Sequence, residues 1–277
     1  MYSCTCNECQ HEAERLNLAI NPRFKTLLKT IEKAYKKLHK KGSYKVEDLE
    51  TVKEYKAIVT DTTNLLERAL EDNDLSDDML KSLKEDIFYF SGYKTHAQLL
   101  EASRELLTED NKLKSFTAFN NDVSKIKKSY NENYLKAEYN FAVGSSLMAE
   151  KWEGYSDDEE TYLLQYRTDG GPNVRDTHNA MHGITLPKSD PFWDAYTPKN
   201  GWNCHCIHIE VLAFRYSKTN SADALKKGEI ATTHINKNGK NSLEIFRFNA
   251  GKQKVVFPPK HPYKRVLDAS KVKKHIK

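Results

Sequence analysis

The residues best suited to chemistry in this 277-residue chain crowd between Arg175 and Cys206. There the chain reads Arg-Asp-Thr-His-Asn-Ala-Met-His-Gly, then Ser-Asp-Pro-Phe-Trp, then Asn-Gly-Trp-Asn-Cys-His-Cys. His178 and His182 are four apart, so a helical turn or two over 174–182 puts both imidazoles on one face. Cys204 and Cys206 flank a single residue, and on an extended strand both point to the same side. Two such pairs could close a tetrahedral zinc site, with sulfur about 2.3 Å and nitrogen about 2.0–2.1 Å from the metal. The competing reading makes both cysteines small buried hydrophobes and His178 a hydrogen-bonded core residue. The usual zinc ribbon places two residues between its cysteines, not one, and His205 and His208 stand close by as further candidate ligands. A second group, Cys4-x-Cys6-x-x-Cys9-x-His11, offers four candidate zinc ligands within eight residues. With no core around it, that group reads equally as a frayed terminus with free thiols.

Other chemistry fits poorly. No glutamate follows His178, so the pattern of a zinc metalloprotease is missing. The chain also lacks a phosphate-binding glycine loop and a nucleophile elbow. The expectation is that it is not an enzyme, with a metal-dependent hydrolase (nuclease or peptidase) on the His/Cys cluster as the alternative. Phe192, Trp193, Tyr196 and Trp202 read as anchors that hold long loops to a core. Arg175 and Asp190 either pair with each other or fix loop backbone by hydrogen bonds.

The elements that must position these residues follow from periodicity. Phe24–His39 carries Leu27, Leu28, Ile31, Ala34, Tyr35 and Leu38 at helical spacing, and Gly42 stops it. Val46–Leu70 repeats the pattern. Ser76-Asp77-Asp78 opens a helix that runs past Ile87. Thr95–Leu107 is a further amphipathic segment, and 117–152 reads as a long helical stretch. Tyr162–Arg167 and Ile207–Leu212 read as strands. Between them, glycines and prolines allow only short helices and ordered loops. Residues 217–242 are polar and read as linker. Leu243–Phe248 and Lys254–Phe257 read as a hairpin about Asn249-Ala250-Gly251. The predicted fold class is α+β: a largely helical N-terminal half, then a compact loop-rich α+β module with a small sheet, then a basic C-terminal hairpin extension. The predicted boundaries are 1–111, 112–213 and 214–277. Such a loop-built module has little apolar core, which is the motive for a metal to hold it together.

Charged residues make up 30% of the chain and the net charge is +5, yet the balance is uneven. From Gly251 to Lys277, nine lysines and arginines face the single Asp268. Lys260, Lys264, Arg265, Lys271, Lys273 and Lys274 are candidate contacts to double-stranded DNA or an acidic surface, the alternative being a solvated terminus. No apolar run approaches a membrane span, no secretory leader is expected, and five cysteines, an odd number in two tight groups, suit a reducing compartment.

Taken in order, Tyr166-Arg167-Thr168, Val174-Arg175-Asp176-Thr177-His178, His182-Gly183, Asp190-Pro191-Phe192-Trp193 and Pro198-Lys199-Asn200-Gly201-Trp202-Asn203-Cys204-His205-Cys206 resemble the phage Mu F-like head morphogenesis, or minor head, proteins. The upstream Glu138-Tyr139-Asn140 resembles that family's approach to the module. The residue between the cysteines is often Arg in that family and is His205 here. The resemblance implies a minor capsid component of a phage or prophage that takes part in procapsid assembly near the portal. Its implied partners are portal and capsid or scaffold proteins, with packaged DNA a further candidate and no membrane. Its implied location is the interior of the virion head, reached from the bacterial cytoplasm during assembly. The resemblance leaves the helical first half, the N-terminal cysteines and the basic tail unexplained.

Overall fold

The computed structural model of the chain describes residues 22–168, 170 and 174–277. Cys4, Cys6, Cys9 and His11 lie outside the described residues. The chain divides into two compact units. One takes the chain up to Arg68, Lys84–Tyr139 and His261–Lys277; the other takes Ala69–Leu83 and Asn140–Lys260. The α+β class and the helical first half are as the sequence predicts.

The first unit is helical. Its helix α1, Pro22–Lys41, buries Leu27, Ile31, Ala34, Tyr35 and Leu38, the predicted stripe but for the half-buried Leu28. A short α2, Asp48–Thr51, leads into α3, Lys53–Leu66, which packs along α1 and buries Tyr55, Ile58, Val59 and Leu65. Helix α4, Asp77–Arg104, opens where predicted, with Ser76 Oγ accepting the Met79 N–H at 3.2 Å. Helix α5, Phe116–Lys128, is capped by Ser115 and buries Phe119, Val123 and Ile126. A widened π turn, Ser129–Tyr134, joins it to α6, Leu135–Gly154. That turn sets Tyr130 and Asn131 inside.

The basic terminus is folded, not a solvated tail. His261, Tyr263, Ala269, Val272, His275 and Ile276 are buried. The His96 Nε2 hydrogen bonds the Leu267 carbonyl at 2.7 Å, and His275 pairs with Glu50 at 3.0 Å. Gly92 of α4 lets this segment approach, because a Cβ there would run into Ile276 and Val272.

The second unit holds the sheet. Strand β1, Tyr162–Arg167, lies between β2, Thr185–Leu186, and β3, Ile207–Leu212, both antiparallel to it. The register pairs Leu164 with Leu186 and Tyr166 with His208. Between the strands come two short helices, α7 (Asp176–Asn179) and α8 (Phe192–Tyr196).

The predicted linker is wrong: Ser221–Ala231 forms helix α9, capped by Asn220. Its inner face is Ala224, Gly228 and Ala231, which pack on α8. Small residues bury little area each, so the hydrophobic signal that marks a helix is faint. The predicted hairpin is absent too. Asn249 Oδ1 accepts the Lys252 N–H at 2.9 Å and starts α10, Ala250–Gln253. Phe246, Phe248 and Phe257 gather around Phe141 instead of forming a ladder. Asn249 therefore acts as a helix cap and not as a hairpin turn.

The module is also better cored than its loops suggest. Leu164, Tyr166, Met181, Ile184, Leu186, Phe192, Trp193 and Tyr196 form one buried cluster with both cysteines. The loops fold around large aromatics, so the fold does not depend on a metal for want of apolar burial.

Candidate functional site: a buried His-Cys-Cys triad

Strand β1 is the fixed rail of the site. Helix α7 begins after Arg175, and its hydrogen bonds carry one turn onward, from Met181 N to His178 O at 3.0 Å and from His182 N to Asn179 O at 3.0 Å. Gly183 then reverses the chain at φ +81°, a left-handed conformation that costs glycine nothing. Its N–H donates to the Tyr166 carbonyl at 2.9 Å, and the Tyr166 N–H donates to Ile184 O at 2.9 Å. The turn carrying His178 is thereby hung on β1. From the other side, the segment 197–206 enters β3, whose register on β1 fixes where Cys206 sits, one residue ahead of Ile207.

These constraints bring three predicted residues together. His178 Nδ1 lies 3.6 Å from Cys204 Sγ and 3.7 Å from Cys206 Sγ. All three residues are buried, and their ligating atoms all fall within 4.8 Å of one another. His178 Nε2 is buried with no hydrogen-bond partner among the described residues. A cavity of about 20 Å³ adjoins the group, walled by Val174, Arg175, Asn203 and His205 as well as the three.

The two thiols are shifted in opposite directions. The Cys204 thiol is held well below the ordinary thiol range, first by a hydrogen bond from Cys206, then by His178 and the Lys199 ammonium, against the opposing effect of burial. The Cys206 thiol is pushed up by donating that hydrogen bond, by burial and by the charge on Cys204. The phenol of Tyr166 is raised well above its usual range, chiefly by burial, and donates to Asn200 Oδ1 at 2.9 Å. Asn200 in turn donates to the Thr197 carbonyl at 3.0 Å. Neither Tyr166 nor Asn200 retains any exposure, so this relay is a rigid brace for the loop that delivers the cysteines.

Other predicted residues stand elsewhere. His182 is exposed, and its Nδ1 accepts the Thr168 N–H at 3.2 Å. It does not join His178, because regular helix ends at Asn179 and the four-residue spacing loses its meaning there. Arg175 and Asp190 do not pair with each other. Arg175 donates to the Trp202 carbonyl at 3.1 Å, and Asp190 Oδ1 accepts the Phe192 N–H at 2.9 Å, so each fixes loop backbone separately. Phe192 and Trp193 are fully buried, and Trp202 packs edge-on against Phe141 and Phe246. His208 sits on β3 among Trp152, Tyr155 and Trp193, where burial and the charges of Lys151 and Lys199 push it down to about 3. It is a neutral core histidine. His205 lines the cavity without belonging to the tight group.

Lys199 escaped the sequence reading. A lysine in a Pro-Lys-Asn-Gly turn reads as solvated, yet this one is buried. Its stem fits only because Gly144 of α6 has no Cβ to meet it. No one-dimensional signal joins positions 144 and 199.

The basic candidates are dispersed in their local contacts. Lys260, in the sheet-bearing unit, faces Glu244 at 3.7 Å. In the helical unit Lys271 pairs with Asp268 at 2.8 Å. Lys273 rests 4.0 Å over the Tyr89 ring and Lys264 5.8 Å over Tyr93. Arg265 and Lys274 are exposed.

A small antiparallel sheet with a buried soft-ligand triad and braced loops defines a module built for rigidity. A family model described as phage Mu protein F like protein matches residues 60–209, more than half of the chain. The chain belongs to that family, one of phage head morphogenesis. The match begins within α3, upstream of the sheet, and ends within β3. Neither a curated protein nor a solved structure matches the chain. Among the described residues, no helix is long and apolar enough to cross a membrane.

Proposed function

We propose that this chain is a minor head protein of a phage or prophage that takes part in procapsid assembly near the portal. In this reading it contacts portal and capsid or scaffold proteins, and exposed cations of its C-terminal segment meet packaged double-stranded DNA. It acts by binding, not by catalysis. It works in the virion head and reaches it from the bacterial cytoplasm. The observation that carries the reading is the family match across residues 60–209. The packing of the matched region supports it. The cavity beside the triad, at about 20 Å³, holds one small ion or water but no peptide or nucleotide. Among the described residues its wall has no carboxylate to serve as a general base. Both points weigh against the alternative of a nuclease or peptidase.

The assembly role is tested in the phage. Tagged protein should sediment with procapsids of normal composition and be lost from particles assembled without portal. Its absence from procapsids and virions alike would refute the role and favour a free-standing DNA-binding protein. The DNA contact is tested separately with Arg265→Glu/Lys274→Glu in the full chain. Each neutralised phosphate contributes about 0.9 to the slope of log affinity against log salt. The double variant should lose at least tenfold in affinity and flatten that slope. Unchanged binding would remove the terminus from the reading.

A further inference from the structure

Within the sheet-bearing unit, we propose that His178 Nδ1, Cys204 Sγ and Cys206 Sγ bind one zinc ion whose fourth position is taken by water from the adjoining cavity. This proposal is independent of the assembly role.

The first support is geometric. Zinc bonds of about 2.3 Å to sulfur and about 2.0–2.1 Å to nitrogen, at the tetrahedral angle, separate the two ligand atoms by about 3.6 Å. The two nitrogen–sulfur distances are 3.6 and 3.7 Å. A hydrogen bond explains this arrangement less well. A ring nitrogen carries one proton and can direct it at one sulfur, whereas Nδ1 here stands almost equally far from both. An atom bonded to all three satisfies the equal spacing at once.

The second support is the space. The cavity of about 20 Å³ touches all three ligands and exceeds the one-probe volume that a water needs. It gives the fourth position room without admitting a larger ligand.

The third is ligand type. Two thiolates and an imidazole, buried together, select a soft or borderline ion over magnesium or calcium. Two thiolates cancel the charge of a divalent ion, so the buried complex is neutral. The Cys-x-Cys spacing, unusual for a zinc ribbon, works here because the residues run into β3. Alternate side chains of an extended segment share a side, and that side faces the turn hung from β1.

What such an ion does follows from its ligands' places in the chain. His178 lies on the turn between β1 and β2, and the cysteines lie at the entry to β3. The ion is a cross-link between two loops 26 residues apart, at the end of the sheet where Tyr166 and Asn200 brace the same loop. It is a structural clamp.

The test must separate this site from the N-terminal cysteines. The full chain carrying Cys4→Ser, Cys6→Ser and Cys9→Ser is purified under reducing conditions from zinc-supplemented cells, and its metal is counted by mass spectrometry. The expected result is one zinc per chain, falling to near zero when Cys206→Ser is added. Should that second variant not fold, X-ray absorption on the first decides. Two sulfurs near 2.3 Å with nitrogen or oxygen near 2.0–2.1 Å support the site. No zinc in the first variant, full zinc after Cys206→Ser, or a shell without sulfur would each overturn the proposal. So would a Cys204–Cys206 disulfide in the purified chain.

Discussion

Lys94 is the least expected residue in the helical unit, and removing its charge should be costly. Its side chain is 2% exposed, and its ammonium lies 2.7 Å from Glu138 Oε2 and 2.6 Å from the Tyr130 carbonyl. Burial depresses its pKa, and the Glu138 carboxylate counters that. The other carboxylate oxygen accepts the Tyr263 hydroxyl at 2.7 Å, and the Tyr130 and Tyr263 rings stack beside the pair. Lys94→Met keeps most of the volume but strands a carboxylate with Tyr263 as its remaining donor among the described residues. Breaking one side of a buried pair costs about 3–5 kcal/mol, against a total stability of about 5–15 kcal/mol. Adding Glu138→Gln replaces the stranded charge with an amide that still accepts from Tyr263. The Tyr130 carbonyl stays unmet at a cost of about 1 kcal/mol. The double variant should therefore recover about 2–3 kcal/mol of the single variant's loss. Urea unfolding at pH 7 reads this cycle. It should be followed by far-UV circular dichroism and by tyrosine fluorescence, so that departure from a two-state transition is visible. A loss below about 1 kcal/mol for Lys94→Met would refute the reasoning, as would losses that simply add within about 0.5 kcal/mol. Either result would mean that water reaches the pair.

Two further outcomes follow from the same kind of reasoning. Gly228→Ala improves helix propensity by about 1 kcal/mol, yet its Cβ would overlap the Tyr196 ring, so α9 must lift from α8. We expect a net loss of about 1–3 kcal/mol, seen as a lower melting temperature, whereas in a Tyr196→Ala background, itself destabilised, Gly228→Ala should cost little further; an unchanged or raised temperature for the single variant would show that the contact yields freely. His261 is pushed down to about 3 by burial and by the charges of Lys94, Lys264 and Arg265, while its Nδ1 accepts the Tyr263 N–H at 3.3 Å. The unfolded chain binds its proton near pH 6.5, so the stability that the neutral ring contributes is whole above pH 7 and declines as pH falls from 6.5 toward 3. That loss reaches about 2 kcal/mol by pH 5, and His261→Asn should flatten the decline in urea titrations between pH 7 and 5; parallel curves for the two proteins would discount His261.

How far the sequence foretells this molecule depends on where each side chain finds its partner. The stripe of α1 and the two six-residue strands are legible because their apolar residues face one way at a fixed period. Helix α4 is less so. It reads as two segments, yet every residue from Phe90 to Leu99 is buried, and a helix covered on all sides loses its amphipathic period. Helix α9 is missed for the opposite reason, since Ala224, Gly228 and Ala231 bury by closeness and not by bulk. In the site, residue type was enough to single out His178, Cys204 and Cys206. It was not enough to exclude His182, whose fate rests on where helical hydrogen bonding stops and Gly183 turns the chain. Lys199 and its groove at Gly144 were beyond reach, because only packing joins them.

The apolar core of the sheet-bearing unit changes what a metal there can be for. Were the loops uncored, an ion would be a condition of folding, as in domains that are unstructured without zinc. With Phe192, Trp193 and Tyr166 fully buried beneath them, the loops already have a floor. The triad lies at the rim of that floor, on two loop segments tied down by a few hydrogen bonds, among them Gly183 N to Tyr166 O and Asn200 Nδ2 to Thr197 O. Segments of that kind open locally at a lower cost than the core does. A cross-link at the rim acts on the local opening and leaves the global fold to the aromatics. The exposed side of these loops, where Arg175 holds the Trp202 carbonyl and Asn203 sits at φ 56°, is the surface whose shape the proposed zinc clamp would preserve. Under the proposed assembly role, a fixed loop surface would be worth more than added stability, because ordering it beforehand removes an entropic cost from each contact.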